Sequence, residues 1–143
     1  MVGVAIFACQ HPRLAMPTAP DSAELPEQCD RLRAEAVAIG VLVLAGEGDI
    51  IGHAGAIAAL PDRACEAIGD LFADVVGSVA RRELADGDDL VAEIDSLQAC
   101  AAPLGNRAVL VLLFDGTTTL ANVRHRMKHA RDSLLRTLDP LES

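Results

Sequence analysis

Aromatic residues are almost absent from this chain of 143 residues, which has no tryptophan, no tyrosine and only three phenylalanines. Proteins that bind single-stranded nucleic acid by stacking need exposed aromatic side chains, so this class of function is disfavoured. The core must instead be aliphatic. Apolar residues make up 51% of the sequence, which is enough for one domain with a genuine hydrophobic core.

Closely spaced cysteines are also missing. The four cysteines are far apart and form no Cys-x-x-Cys pair, so a disulfide framework or a thiolate zinc site is not expected, and reduced, buried thiols fit better. The apolar residues 2–9 follow no basic segment of the kind that begins a signal peptide, and no apolar run is long enough to span a membrane. We therefore expect a cytoplasmic protein without membrane insertion.

Positive charge is scarce, and the net charge is −9. Residues 118–143 are the exception, with five basic and three acidic side chains. An acidic body disfavours DNA and anionic membranes as main partners. We interpret the basic stretch as the solvated face of a helix and expect no nucleic-acid partner.

Patterns that carry catalysis are lacking. The sequence has neither the Gly-x-Ser-x-Gly of a nucleophile elbow nor the Gly-x-x-x-x-Gly-Lys of a phosphate loop. His125 and His129 share a predicted helix face, but a zinc site needs at least one more converging ligand. We therefore predict no catalytic residues, no metal site and no cofactor, and a protein that is not an enzyme.

The stretch around which the fold is organised runs from residue 107 to residue 138. Residues 108–114 are all apolar, which is typical of a strand covered on both faces. Any of the three threonines at 117–119 can cap the start of a helix. Apolar residues then recur every three or four positions, at Leu120, Val123, Met127, Ala130, Leu134 and Leu138. This pattern predicts an amphipathic helix that folds back onto the sheet.

The rest of the chain predicts hairpins and two further helices. The expected elements are a helix at 25–36, strands at 37–45 and 50–56, a long helix at 61–84, and strands at 90–94 and 97–102. Together with the last strand and helix they give an α+β fold of order α-β-β-α-β-β-β-α, with a five-stranded antiparallel sheet and helices on both faces. We expect a proline-rich arm at 1–26, one domain at 27–138 and a short tail at 139–143.

The long helix carries a row of small residues at a spacing of four: Cys65, Gly69, Ala73 and Gly77. A glycine inside a helix costs about 1 kcal/mol relative to alanine, so the two glycines need a reason. Small side chains let another element approach closely. The row either packs on the protein's own sheet or contacts a second copy, and the pattern alone leaves both possible.

The order of elements, together with CDRL (29–32), VLVLAGEGDIIGHAG (41–55) and VLVLLFDGTTTLANVRHRMKHARDSL (109–134), resembles the Roadblock/dynein light chain family. Within it, the likeness is to the bacterial MglB-type regulators of the small GTPase MglA. The resemblance covers about residues 27–138. It implies a homodimer in which the long helices and the following strand pair across a two-fold axis.

The resemblance also implies where partners bind. The dimer interface is expected at Cys65, Gly69, Phe72, Ala73, Val76, Gly77, Val91, Glu93 and Asp95. A Ras-like small GTPase is expected to bind the outward side of the paired long helices, at Asp70, Asp74, Arg81 and Arg82. MglB-type proteins resemble activators of GTP hydrolysis that insert no arginine finger. The alternative is a non-catalytic dimeric adaptor with a partner that is not a GTPase.

Overall fold

A computed structural model describes residues 24–85, 88–105 and 108–142, the last four of them by their backbone alone. Three helices and five strands lie within these residues. In chain order they are α1 (Glu24–Ala36), β1 (Gly40–Ala45), β2 (Asp49–Gly55), α2 (Asp62–Ala80), β3 (Leu90–Ile94), β4 (Leu97–Leu104), β5 (Ala108–Phe114) and α3 (Leu120–Glu142). This order confirms the predicted fold.

The strands form one antiparallel sheet in the order β2-β1-β5-β4-β3. Strand β5 lies at its centre and pairs with β4 over residues 108–114 and with β1 over residues 108–113. All seven of its residues are buried. The prediction of a central strand covered on both faces is therefore confirmed.

Alternate side chains of the central strands point into two separate cores. Val41 and Val43 pack with α1 and α3 on one face of the sheet. Leu42 and Leu44, their neighbours along β1, pack with α2 on the other face. Since successive residues of a strand point to opposite faces, one unbroken apolar run supplies both cores. Helices thus cover both faces, as predicted.

Strand β1 begins at Gly40, three residues later than predicted. Val37 has a φ of 58°, in the left-handed region, and the amide of Ala38 donates to the carbonyl of Arg33 at 2.9 Å. These contacts close the end of α1 and turn the chain back toward the sheet. A β-branched residue in this region is strained, which the apolar pattern cannot reveal.

Helix α2 ends at Ala80, earlier than the predicted Leu84. Arg82 has a φ of 61°, and the amide of Glu83 donates to the carbonyl of Ser78 at 2.8 Å.

Strand β4 is longer than predicted and includes Pro103. Proline has no N–H to donate, and Pro103 lies past Ala101, the last residue of β4 that pairs with β3, so β3 requires no hydrogen bond from it.

Helix α1 begins at Glu24, within the predicted arm, and α3 continues to Glu142, within the predicted tail. The division into arm, domain and tail stays a prediction. The rest of the proline-rich arm lies outside the described residues, as do residues 86–87 of the acidic loop and 106–107 of the turn before β5. None of the helices in the described ranges carries an apolar stretch of the length that a membrane span requires.

Thr119 is the residue that caps α3. Its hydroxyl accepts a hydrogen bond from the amide of Asn122 at 3.1 Å, as expected for an N-cap. Thr119→Ala should lower the free energy of unfolding by about 1 kcal/mol, because the amide loses its partner. Urea denaturation measures the change.

Thr117→Ala is the matched control for this prediction. The Thr117 hydroxyl bonds only to the exposed Asp115 carboxylate, at 2.6 Å. Its loss should change stability by no more than about 0.5 kcal/mol. Equal losses in the two variants would contradict the assignment of Thr119 as the cap.

Candidate functional site

Strand β3 forms one edge of the sheet, and within the described chain it pairs only with β4. Leu90, Ala92 and Ile94 pack toward α2. Val91 and Glu93 alternate with them and are exposed, Val91 to 38% of its surface. The outer backbone groups of an edge strand are available for pairing with another strand.

Two ion pairs hold the ends of this edge. Before β3, both oxygens of Asp89 accept hydrogen bonds from Arg124 of α3, at 2.9–3.1 Å. After β3, both oxygens of Asp95 lie within 2.9–3.1 Å of one guanidinium nitrogen of Arg63 in α2. The two arginines belong to helices on opposite faces of the sheet. The edge strand is therefore anchored to both helix layers.

The Arg124–Asp89 pair lies beside a buried thiol. The hydrogen bond and charge of Asp89 raise the pKa of Arg124. Burial, followed by the charge of Asp89, raises the pKa of Cys100 to about 12. Cys100 and Cys29 are free and buried, as predicted, and burial raises the pKa of Cys29 to about 12 as well. Cys65 is disulfide-bonded, so the expectation of four reduced thiols was wrong for this residue.

The row of small residues on α2 winds from the core to the surface. Cys65 and Gly69 are buried within the subunit, Gly77 is half-buried and Ala73 is exposed. The cause is the helix itself, because a step of four residues advances about 40° beyond one full turn. Phe72 is also buried, against the subunit's own sheet. Within the row, Ala73 and Gly77 are therefore the members that reach the surface of the subunit.

Val76, which was also predicted to lie at the dimer interface, is exposed to 45% and lines an apolar groove of about 300 Å³. The groove lies between the last two turns of α2 and the end of the sheet where β1 ends and β5 begins.

The four residues predicted to bind a partner are all exposed. Asp70 and Asp74 are one turn apart on α2, so their carboxylates lie on the same outward side. Arg81 follows the end of the helix, pairs with Glu83 at 3.1 Å, and extends back toward Gly77. Arg82 lies next to it, in the turn that closes the helix. The outer side of α2 is therefore acidic in its middle and basic at its end.

The paired histidines lie on the exposed side of α3. The ring centroids of His125 and His129 are 4.3 Å apart, with the rings edge to face. No group of three or more histidine, cysteine, aspartate or glutamate side chains that could hold a metal ion occurs among the described residues.

The arrangement of the sheet and its helices is similar to that of several solved structures. MglB of Myxococcus xanthus is similar over 87% of this chain and 94% of its own, with a TM-score of 0.71 and 25% identity. The chain has the Roadblock fold. The gliding protein MglB of Thermus thermophilus matches over 84% of this chain and 92% of its own, with a TM-score of 0.65 and 21% identity.

A Roadblock/LC7 domain of Streptomyces avermitilis supports the same fold. It matches over 80% of this chain and 97% of its own, with a TM-score of 0.62 and 18% identity. The sequence matches no family model and no curated protein. The Roadblock fold is therefore recognised here through its three-dimensional arrangement.

The ion pairs that anchor β3 had not been predicted from the sequence. Asp89 and Arg124 are separated by 35 positions, and Arg63 and Asp95 by 32. No local pattern marks partners at such distances. In the sequence of β3, LVAEI, only Glu93 interrupts the apolar run, which is a weak signal of an exposed strand.

Removal of Arg124 should weaken this Roadblock domain more than removal of Arg63. The Asp89 side chain is only 11% exposed, so Arg124→Met leaves a largely buried carboxylate without its main partner. We expect this variant to lose more unfolding free energy than one that breaks a fully exposed ion pair, because the Asp89 carboxylate stays desolvated without a partner. Urea denaturation and hydrogen exchange at residues 90–94 measure the effect.

Arg63→Met is the control, because both members of its ion pair are more than 60% exposed. An exposed pair of this kind contributes about 0–1 kcal/mol. If the two variants lost the same stability, Asp89 would not depend on Arg124 for its burial.

Proposed function

We propose that this protein is a homodimeric Roadblock-type regulator that binds a Ras-like small GTPase of the MglA kind and modulates its GTPase cycle. The observation that carries the proposal is the similarity to Myxococcus xanthus MglB over 87% of the chain. The proposed role needs docking surfaces rather than an active site, and the protein is not itself an enzyme.

The dimer is formed by the exposed edges of β3. Two copies related by a two-fold axis present the same edge to each other, so the strands pair antiparallel and the two sheets become one. Val91 and Glu93 lie on the outward-facing positions of this edge, and Asp95 is held at its end by Arg63. Self-association also fits the solved MglB that is described as having a tetrameric arrangement.

Helix α2 contributes to the same dimer with the outer part of its small-residue row. Ala73 and Gly77 allow a partner helix to approach closely, since neither carries a bulky side chain. Cys65, Gly69 and Phe72 support the helix from within the subunit. Val76 is exposed one turn after Ala73 and stays a predicted member of this interface.

Val91→Asp tests the dimer. Val91 is exposed, so the subunit should still fold, but the substitution places like charges close to the two-fold axis, where they repel. We expect a monomer of unchanged helix content by light scattering and circular dichroism.

Val37→Asp is the matched control, because Val37 is 50% exposed and lies in the turn after α1. Aspartate tolerates the left-handed backbone of this position better than valine does. The control should remain a dimer. A dimer that persists in Val91→Asp would exclude β3 as the interface.

The GTPase docks on the outward side of the paired α2 helices. Asp70 and Asp74 lie there as an exposed acidic pair, with Arg81 and Arg82 at the helix end. Arg81 is already engaged by Glu83 and folds back along the helix. We therefore propose that the protein stabilises the GTPase's own catalytic arrangement, without an arginine finger.

Phosphate release by an MglA-type GTPase, with and without this protein, tests the regulatory role. We expect faster release, which the double variant Asp70→Lys/Asp74→Lys abolishes. An inserted arginine finger contributes roughly 10³–10⁵ in rate. Arg81→Ala and Arg82→Ala should each retain most of the stimulation. If either variant lost stimulation by roughly 10³–10⁵-fold, the substituted arginine would be identified as a finger.

The same experiment separates regulator from adaptor. A complex that leaves the rate unchanged would assign the protein to the adaptor class. The absence of both complex and stimulation would exclude this GTPase as the partner. Hydrolysis of GTP in the absence of any GTPase would overturn the view that the protein is not an enzyme.

A further inference from the structure

His125 and His129 of α3 are metal-ligating side chains that lie outside the surfaces assigned above. They are four positions apart on one helix, so they are neighbours on the same side of it, one turn apart. Both residues are exposed, and their ring centroids are 4.3 Å apart. The helix therefore holds two imidazoles side by side at the surface.

The nitrogens of the two rings are available to a ligand. Within the part of the chain that the structure describes, the rings contact each other and make no hydrogen bond or ion pair. A neutral imidazole binds a metal ion through either ring nitrogen. A metal ion at this position would displace no existing interaction of the side chains except their contact with each other.

The spacing of the rings suits chelation of one ion by both. Zinc bonds to an imidazole nitrogen at about 2.0–2.1 Å. When one nitrogen of each ring bonds to the same ion, this bond length places the two centroids roughly 5 Å apart. The observed 4.3 Å is slightly shorter, and exposed side chains can rotate to widen it. No movement of the helix backbone is required.

Basic neighbours oppose a bound cation, but their effect is limited. Arg124 reaches toward the start of β3 and is paired with Asp89. Lys128 and Arg136 are exposed, where water and salt screen their charges. Asp132, in the turn that follows the pair, adds a negative charge on a side chain that is 80% exposed. Two coordination bonds therefore compete with a weak, screened repulsion.

The donor atoms select the class of metal. Imidazole suits zinc, copper and nickel, whereas magnesium and calcium prefer oxygen ligands. A closed zinc site has four protein ligands, so the sequence pattern alone predicts no such site here. Two-point chelation demands less, and it leaves the other coordination positions of the ion to water.

We propose that His125 and His129 chelate one divalent transition-metal ion on the outer side of α3. Helices α3 and α2 pack on opposite faces of the sheet, so the ion leaves the acidic outer side of α2 uncovered. The site is independent of the proposed GTPase function and of the dimer.

Calorimetric titration of the full chain with Ni²⁺ tests the proposal. We expect one ion per chain, and weaker binding in His125→Ala and in His129→Ala. Loss of a ligand should cost at least as much as loss of a group that orients one, which is roughly 10–100-fold in affinity. Both residues are exposed, so the fold should persist, as circular dichroism will check. Failure of the wild-type chain to bind Ni²⁺ would overturn the proposal.

The other histidines provide the matched control, because the sequence has four. His11→Ala/His53→Ala removes as many imidazoles as His125→Ala/His129→Ala does. The first double variant should bind Ni²⁺ like the wild-type chain, and the second should not bind it. Equal weakening in both would show adventitious binding by scattered histidines and would overturn the site.

Two rearranged variants test the spacing itself. His129→Ala/Ala121→His restores a pair four positions apart, one turn earlier at an exposed position, and should recover binding. His129→Ala/Asp132→His keeps both imidazoles but separates them by seven positions, about 10 Å along the helix, and should bind no better than His129→Ala. Strong binding by the second variant, or no recovery in the first, would contradict chelation by neighbouring turns.

Discussion

The structure depends on covering both faces of its two central strands with aliphatic side chains. Strands β1 and β5 supply alternate residues to two cores that are separated by the sheet itself. With almost no aromatic residues available, close packing of valine, leucine and alanine must fill both cores. Helices on each side are therefore a requirement, since a sheet of this composition cannot leave one face in water.

This arrangement decides which surfaces remain for partners. Both faces of the sheet centre are already covered by the chain's own helices, so binding must use the edges of the sheet or the outer sides of the helices. Strand β3 is the edge that Arg63 and Arg124 hold from opposite helix layers. A rigid edge loses little conformational entropy when it pairs, which favours its use as an interface. The acidic outer side of α2 and the apolar groove are separate surfaces, each with its own chemistry.

The proposed regulator makes two demands on α2. Its exposed small residues serve the second copy, and its exposed acidic residues serve the GTPase. One helix can serve both because its residues advance about 100° each and so distribute consecutive positions around the axis. The small-residue row illustrates this, because it begins in the core at Cys65 and ends near the surface at Gly77.

The sequence by itself determined the order of the elements, the central position of β5 and the cap of α3 near residues 117–119. These features follow from local periodicity and from hydrogen bonds between near neighbours. Only the tertiary structure decided where α2 ends, that Val37 is a turn residue, and which part of the small-residue row faces outward. It also decided that Arg124 reaches Asp89. The physical reason differs between these features. The ion pair joins residues 35 positions apart, which leave no periodic pattern in the sequence. The ends of α1 and α2 depend on a left-handed backbone at Val37 and Arg82, a conformation that neither residue type favours and that the sequence therefore does not mark.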